Sequence, residues 1–381
     1  MLASLVRRGG RAAIVVVAGT TVLGGAALAG GDTTLRDRTG VTLGDAAFDR
    51  EDVGVVWREP LGGAPAVYVR TSEAAGTVFA PSELVIDNAR QPSVELCANR
   101  VFVAYARDYG DGVPGRWAID LRTRAVSATG FTGAAVSSGQ YLARDPDVAC
   151  ASGRLFAAWV EQRPGGARTL VSDSLRASLS FDMPIDLGAA SEDRSPPVVA
   201  GVGRWAYVAW RVGNDIKVKR FGVGPGPAFA LTAYGDTIVG DGTLARPVTY
   251  PVIAAYGPRV VVAWTRCGHT QARVSTDHGA TWGPVRTLVR GACGSEAGAF
   301  PTGAAIHGDR IAVTVVTTFG ATASRVVRTR NGFASFTDTL LSDPVDLELF
   351  GYVTFPEAIG WASVRDRGSR LTYRPLGNTA P

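Results

Sequence analysis

The stretch from Pro251 to Val289, PVIAAYGPRVVVAWTRCGHTQARVSTDHGATWGPVRTLV, holds four short apolar runs divided by turns. The first ends at Gly257-Pro258. The second, Val-rich, ends in Trp264. A third, alternating run leads into the box Ser275-Thr276-Asp277-His278-Gly279-Ala280-Thr281-Trp282, and a fourth ends at Val289. Short β-branched runs bounded by Gly, Pro and Asp are strands joined by tight turns. The segment therefore predicts one antiparallel four-stranded sheet.

The same frame recurs along the chain. Aligned on the residue that closes the second strand, its copies end at Trp57, Tyr105, Trp159, Trp210, Trp264, Thr314 and Trp361, and a proline stands thirteen residues upstream in five of them: Pro92, Pro146, Pro197, Pro251 and Pro301. A period of about 50 residues with several strands per unit is the signature of a β-propeller. Each sheet has two apolar faces and buries them only by stacking on its neighbours around an axis. The expected fold is all-β: a propeller of four-stranded antiparallel blades, seven by the count of closing residues, with six as the alternative if residues 340–375 form something else. The last copy is a strand short on this alignment, ending with Arg370–Arg374, and Thr34–Leu43 is the run expected to complete it. The tryptophans are expected as interblade core.

Residues 1–29 stand apart. Arg7, Arg8 and Arg11 precede an apolar run from Ala12 to Leu28 and an Ala27-Leu28-Ala29 cleavage pattern, as in a secretory signal peptide; a retained membrane anchor is the alternative. The mature chain, 30–381, is expected as one propeller domain that is secreted or held at the cell surface, and monomeric. The formal charge of +5 falls to +2 without the three leader arginines, which removes the case for nucleic acid or a membrane surface as partner. Four cysteines without CxxC spacing in an exported chain are expected as disulfides. Three pairings exist, and the repeat register selects one: Cys97 and Cys150 share a turn position in consecutive repeats, leaving Cys267 with Cys293 on the opposite face.

Ser275-x-Asp277-x-Gly279-x-Thr281-Trp282 resembles the Asp-box, or BNR repeat, of sialidase-like propellers, and degenerate versions stand at 71–79, 172–181 and 329–336. In that family the box is a turn staple on the face away from the active site, so the resemblance implies a structural role for these residues. It also implies lyases, glycosidases or binding propellers as relatives in function. Sialidases use three arginines, one in a Phe/Tyr-Arg-Ile-Pro motif, with a Tyr-Glu pair and an acidic Asp; no Arg-Ile-Pro occurs here.

Other chemistry fails on context. Gly201 to Ala206 fits GxGxxA but runs into a strand rather than a helix. No Walker or nucleophile-elbow motif occurs, His269, His278 and His307 lack metal-ligand spacing, and Asp108 to Gly112 reads as a solvated turn. No cofactor or metal is expected. Loops entering the first strand and those joining the second to the third open on one rim, which gathers Arg58, Arg90, Arg107, Arg144, Arg194, Arg211, Arg246 and Arg266 with Glu59, Asp108, Asp145, Glu161 and Arg163. Guanidinium groups suit carboxylate or sulfate. The arginines are the candidate ligand-binding residues, set against the simpler expectation of interblade salt bridges. Glu59, Asp108, Asp145 and Glu161 are the catalytic candidates, with Glu357 a further carboxylate, because paired carboxylates can hydrolyse a glycoside. The expected function is a module binding an acidic glycan. A glycoside hydrolase or lyase acting on an acidic sugar is the first alternative, and a propeller that contacts another envelope protein the second.

Overall fold

The computed structural model describes residues 33–377 apart from 74, 110–116, 191–194, 225–230, 243–247, 294–297, 319–322, 343–346, 355–358 and 367–369. Residues 1–29, Arg194, Arg246 and Glu357 lie outside the described residues.

Seven antiparallel sheets form in chain order, each with its first strand innermost. Blade 1 comprises Thr42–Asp49, Asp52–Leu61, Ala64–Ser72 and Glu83–Asp87; blade 2, Ala89–Cys97, Arg100–Asp108, Trp117–Ala125 and Thr132–Ala135; blade 3, Leu142–Ala151, Arg154–Arg163, Gly166–Leu175 and Ile185–Ala189. Blade 5 (Val248–Tyr256 to Arg286–Val289) and blade 6 (Ala299–His307 to Thr337–Ser342) repeat the plan. In blade 4 the outer edge is split, Leu231–Ala233 and Thr237–Gly240 both pairing the third strand. Blade 7 takes Leu347–Thr354, Ile359–Asp366 and Arg370–Gly377 from the end of the chain and Thr33–Asp37 from its beginning. The run Thr34–Leu43 is thus divided: its first part closes the ring, while Thr42 onward opens blade 1. The six-bladed alternative is excluded, because the region after 340 folds into the seventh blade.

The core lies between blades. Trp57 packs with Leu371 and Tyr373 of blade 7; Trp159 with Phe102 of blade 2; Trp210 with Phe156 of blade 3; Trp264 with Tyr207 of blade 4. These four tryptophans are at most 1% exposed. Each sheet thereby covers its neighbour's face, which no blade achieves alone. Cys97 is joined to Cys150 and Cys267 to Cys293.

The STDHGATW turn is closed by its own side chains. Ser275 Oγ accepts from the Gly279 amide at 2.8 Å and donates to Asp277 Oδ1 at 2.8 Å. Asp277 accepts from the Thr281 hydroxyl at 2.6 Å and its amide at 2.8 Å, and these bonds hold the carboxyl at about 2. Thr329, Asn331 and Ser335 repeat the network in blade 6 with an amide in place of the carboxylate. Ser275→Ala strips three contacts from a turn whose serine is 1% exposed; a loss of about 1–2 kcal/mol is expected in urea unfolding.

The repeated proline decides the geometry of the axis. It has no N–H for the ladder, and at four of its five occurrences the inner strand bulges there. Register breaks fall at Arg90/Ser93, Arg144/Asp147, Thr249/Val252 and Pro301/Gly303, with a matching one at Leu43/Asp45. The residue before the proline is left-handed in three blades: Gln91, Asp145 and Tyr250 each have φ of 53°. The residue after it (Ser93, Asp147, Val198, Val252 or Thr302) lines the axial cavity.

Candidate binding site at the channel mouth

The inner strands enclose a cavity of about 930 Å³ along the axis. Its mouth lies on the rim where inner strands begin and second strands end. Arg58, Gln91 and Asp145 stand on the side of blades 1–3, and Tyr250 and Phe300 on the side of blades 5 and 6. Asp145 is fixed from two directions: Gln91 Nε2 and Arg144 both donate to its carboxylate, and the Asp145 amide donates to Gln91 Oε1 at 3.2 Å.

Arg90 is outside the cavity wall but electrostatically part of the mouth. Its guanidinium carbon stands over the Trp117 ring, 3.4 Å from the centroid. Burial lowers its pKa, with Asp108 and Asp145 opposing and Arg58 adding to the effect. Among the described residues, no carboxylate lies in ion-pair contact with Arg58 or Arg90. A stacked guanidinium loses little further freedom when it binds an anion.

The other rim residues are engaged elsewhere. Glu59 is 1% exposed and receives both arms of Arg36, at 2.6 and 2.7 Å, with Arg38 and the Trp57 indole. Burial pushes its carboxyl up, but those donors together hold it below the usual range. Glu161 repeats the arrangement, accepting from the Trp159 indole at 3.2 Å and Arg163 at 2.8 Å. Arg107 pairs with Asp120 at 3.6 Å, Arg266 with Asp241 at 3.5 Å, and buried Arg211 donates to the Gly213 carbonyl at 2.8 Å. The structure therefore brings together Arg58, Arg90, Arg144, Asp108 and Asp145, and disperses the other described rim residues.

Below the mouth runs a chain of carboxyls absent from the sequence-derived set. Ser93 Oγ lies 3.0 Å from Asp45 Oδ2 and 2.7 Å from Asp147 Oδ1. Each aspartate also accepts from the next blade's backbone, Asp45 from Val94 at 2.9 Å and Asp147 from Val199 at 2.6 Å. Burial in the narrow channel, reinforced by Asp45, raises Asp147 to about 7. Glu95, one layer deeper, accepts from the Cys150 amide at 3.2 Å and is raised to about 8 by burial and by Asp147, Asp49 and Asp45. The signal that finds these residues is their position: Ser93 and Asp147 follow the recurring proline, and Gln91, Asp145, Tyr250 and Phe300 precede it.

No protein-family model matches the sequence, and no curated protein sequence matches it. Solved structures match across nearly the whole chain. An ulvan lyase, a polysaccharide lyase bound to -[GlcA(1-4)Rha3S]-, superposes with a TM-score of 0.58 over 91% of this chain and 96% of that one, at 9% identity. The β-propeller domain of the Trilobed protease from Pyrococcus furiosus gives 0.51 over 90% and 100%, at 10% identity. At such identities the likeness is one of fold. The protein is a seven-bladed β-propeller.

Proposed function

We propose that this propeller is an exported glycan-binding module that takes an acidic saccharide at the mouth of its channel. The observation that carries the proposal is Arg58 on the cavity wall beside Arg90 stacked on Trp117, two guanidinium groups without a protein carboxylate in ion-pair contact among the described residues. A concave site with a few convergent charges is the usual form of a small-ligand site. The ulvan lyase that shares the fold was captured with a saccharide containing GlcA, a uronate. Two disulfides fit an oxidising compartment, and the leader-like residues 1–29 fit export of a monomeric domain spanning 30–381.

The test is binding of polygalacturonate and chondroitin sulfate, with neutral dextran as control, by affinity electrophoresis. Arg58→Ala combined with Arg90→Ala is expected to weaken acidic-polymer binding ten- to a hundredfold, about 1.5–3 kcal/mol for charged hydrogen bonds. Equal binding by the double variant would overturn the assignment.

One observation favours catalysis as a second reading. Glu95 and Asp147 are carboxyls held protonated near neutral pH in the same channel, the condition for a general acid. Release of unsaturated or reducing ends from polygalacturonate, abolished by Glu95→Gln or Asp147→Asn, would establish it; no release would leave binding alone.

A further inference from the structure

The two halves of the mouth differ in chemistry: among the described lining residues, blade 1 presents a guanidinium group and blades 5 and 6 present aromatic rings. Tyr250 and Phe300 meet edge to face, centroids 5.4 Å apart and planes at 85°. Perpendicular packing fixes both ring planes while leaving ring surface uncovered. Both rings are half-buried and border the cavity. The Tyr250 amide donates to Ser195 Oγ at 3.0 Å, which pins the backbone from blade 4. The Tyr250 hydroxyl makes no hydrogen bond to a described residue.

Tyr250 also holds a costly conformation. A bulky residue at φ of 53° is a genuine outlier. At the equivalent positions Gln91 and Asp145 use the same backbone to point polar groups into the mouth and bind each other. Among the described residues Tyr250 has no polar side-chain partner, and its one ring contact, with Phe300, leaves its phenol unused. Strain of this kind collects where a side chain is aimed at a ligand.

We infer that Tyr250, backed by Phe300, is the stacking platform for a pyranose ring whose carboxylate or sulfate is held by Arg58 across the mouth. The inference rests on the acidic-saccharide assignment and deepens it. The C–H face of a pyranose is weakly positive and flat enough to lie on the negative face of an aromatic ring, and the free phenol can bond a sugar hydroxyl. A site built this way selects acidic rings over compact anions: inorganic polyphosphate would satisfy Arg58 and gain nothing from Tyr250.

The experiment measures dissociation constants for oligogalacturonate and polyphosphate with wild type, Tyr250→Gly, Tyr250→Phe and Arg58→Ala. Glycine removes the ring and is at ease at positive φ, so the variant is expected to fold, with cooperative melting as the check. Expected is a loss of about tenfold or more for oligogalacturonate in Tyr250→Gly with polyphosphate within twofold, a loss for both in Arg58→Ala, and a smaller loss in Tyr250→Phe. Unchanged oligogalacturonate binding in a folded Tyr250→Gly, with Arg58→Ala impaired, would overturn the platform and leave the anion site standing. Equal loss of both ligands in Tyr250→Gly would also overturn it, since the ring would then not discriminate sugar from anion. Unimpaired Arg58→Ala, or no binding by wild type, would overturn both. A Tyr250→Gly that fails to melt cooperatively passes the decision to Tyr250→Leu, which fills the space without an aromatic face and must show the same selective loss.

Discussion

Thermal stability is expected to fall as pH rises from about 5 to about 8, and Asp147→Asn is expected to make that slope shallower, Glu95 supplying the remainder. The reason is a count of protons. Ser93 Oγ lies within hydrogen-bond distance of both Asp45 and Asp147, yet a hydroxyl donates only one hydrogen. With both carboxyls ionised, one of the two contacts has no hydrogen; a proton held on the aspartate pair completes the chain. The folded pair keeps that proton to about pH 7, where an unfolded aspartate loses it near 3.8. Between those values the folded state binds more protons than the unfolded one, so stability is full below the lower value and is lost on passing through the upper. About three pH units at roughly 1.4 kcal/mol each set a ceiling near 4 kcal/mol; Asp147 is only partly buried, and solvent screening brings the expected loss to about 2 kcal/mol. Glu95 extends the decline to about pH 8, its neighbours Asp45, Asp49 and Asp147 all being acidic. Asp277, held at about 2, is ionised in the folded state throughout, whereas an unfolded aspartate is still partly protonated near pH 4, so it opposes the trend below about pH 5. His307, lowered by burial and Arg310, opposes the trend weakly below 6.5. Melting temperatures from pH 5 to 9 decide: a flat or rising profile, or an Asp147→Asn profile parallel to wild type, would falsify the shared proton.

Tyr373→Ala is expected to cost about 3–5 kcal/mol, the range for emptying a buried aromatic site. Tyr373 is 1% exposed on the third strand of blade 7. Its hydroxyl donates to the Ala75 carbonyl at 2.6 Å and its ring meets Phe79 at 5.3 Å, so it locks the last blade onto the first blade's outer turn. Gly76 completes the fit: a Cβ there would stand 2.1 Å from the Tyr373 ring, at φ of 76°. Gly76→Ala should therefore lower the urea midpoint as Tyr373→Ala does, and Tyr373→Phe should cost only about 1–2 kcal/mol for the lost hydrogen bond. A Tyr373→Ala protein within about 1 kcal/mol of wild type would show that the ring closes without this residue.

Most of the fold was legible because it is written locally. The tryptophans at 57, 159, 210 and 264 mark second strands, and burial requires them there. Thr314 holds the same place in blade 6, buried although it is not aromatic. The doubled edge of blade 4 was not legible, since neither of its short strands has a distinctive pattern. The site was half legible. Arg58, Arg90, Arg144 and Asp145 follow from rim position, but what separates them from Glu59 and Glu161 is partnership. Glu59 is claimed by Arg36, which reaches it only because the first strand returns to the ring. The Asp45–Ser93–Asp147 chain joins residues a full repeat apart, a contact that follows from curvature and whose sequence mark is the position of Ser93 and Asp147 after the recurring proline.

The shared seventh blade sets an order of assembly. Thr33–Asp37 emerges from the ribosome early, yet its ladder partner begins at Arg370. At roughly 5–20 residues per second it waits on the order of half a minute, while blades 1 to 6 have everything they need. The entropy of closing so long a loop exceeds that of closing one blade by only about 2 kcal/mol, because the cost grows with the logarithm of length. The hazard lies in the interval, when an unpaired edge is open to any other strand. Arg36 and Arg38 shorten that search. By gripping Glu59, only 23 and 21 residues away, they moor the first strand beside blade 1, where the last strand will arrive.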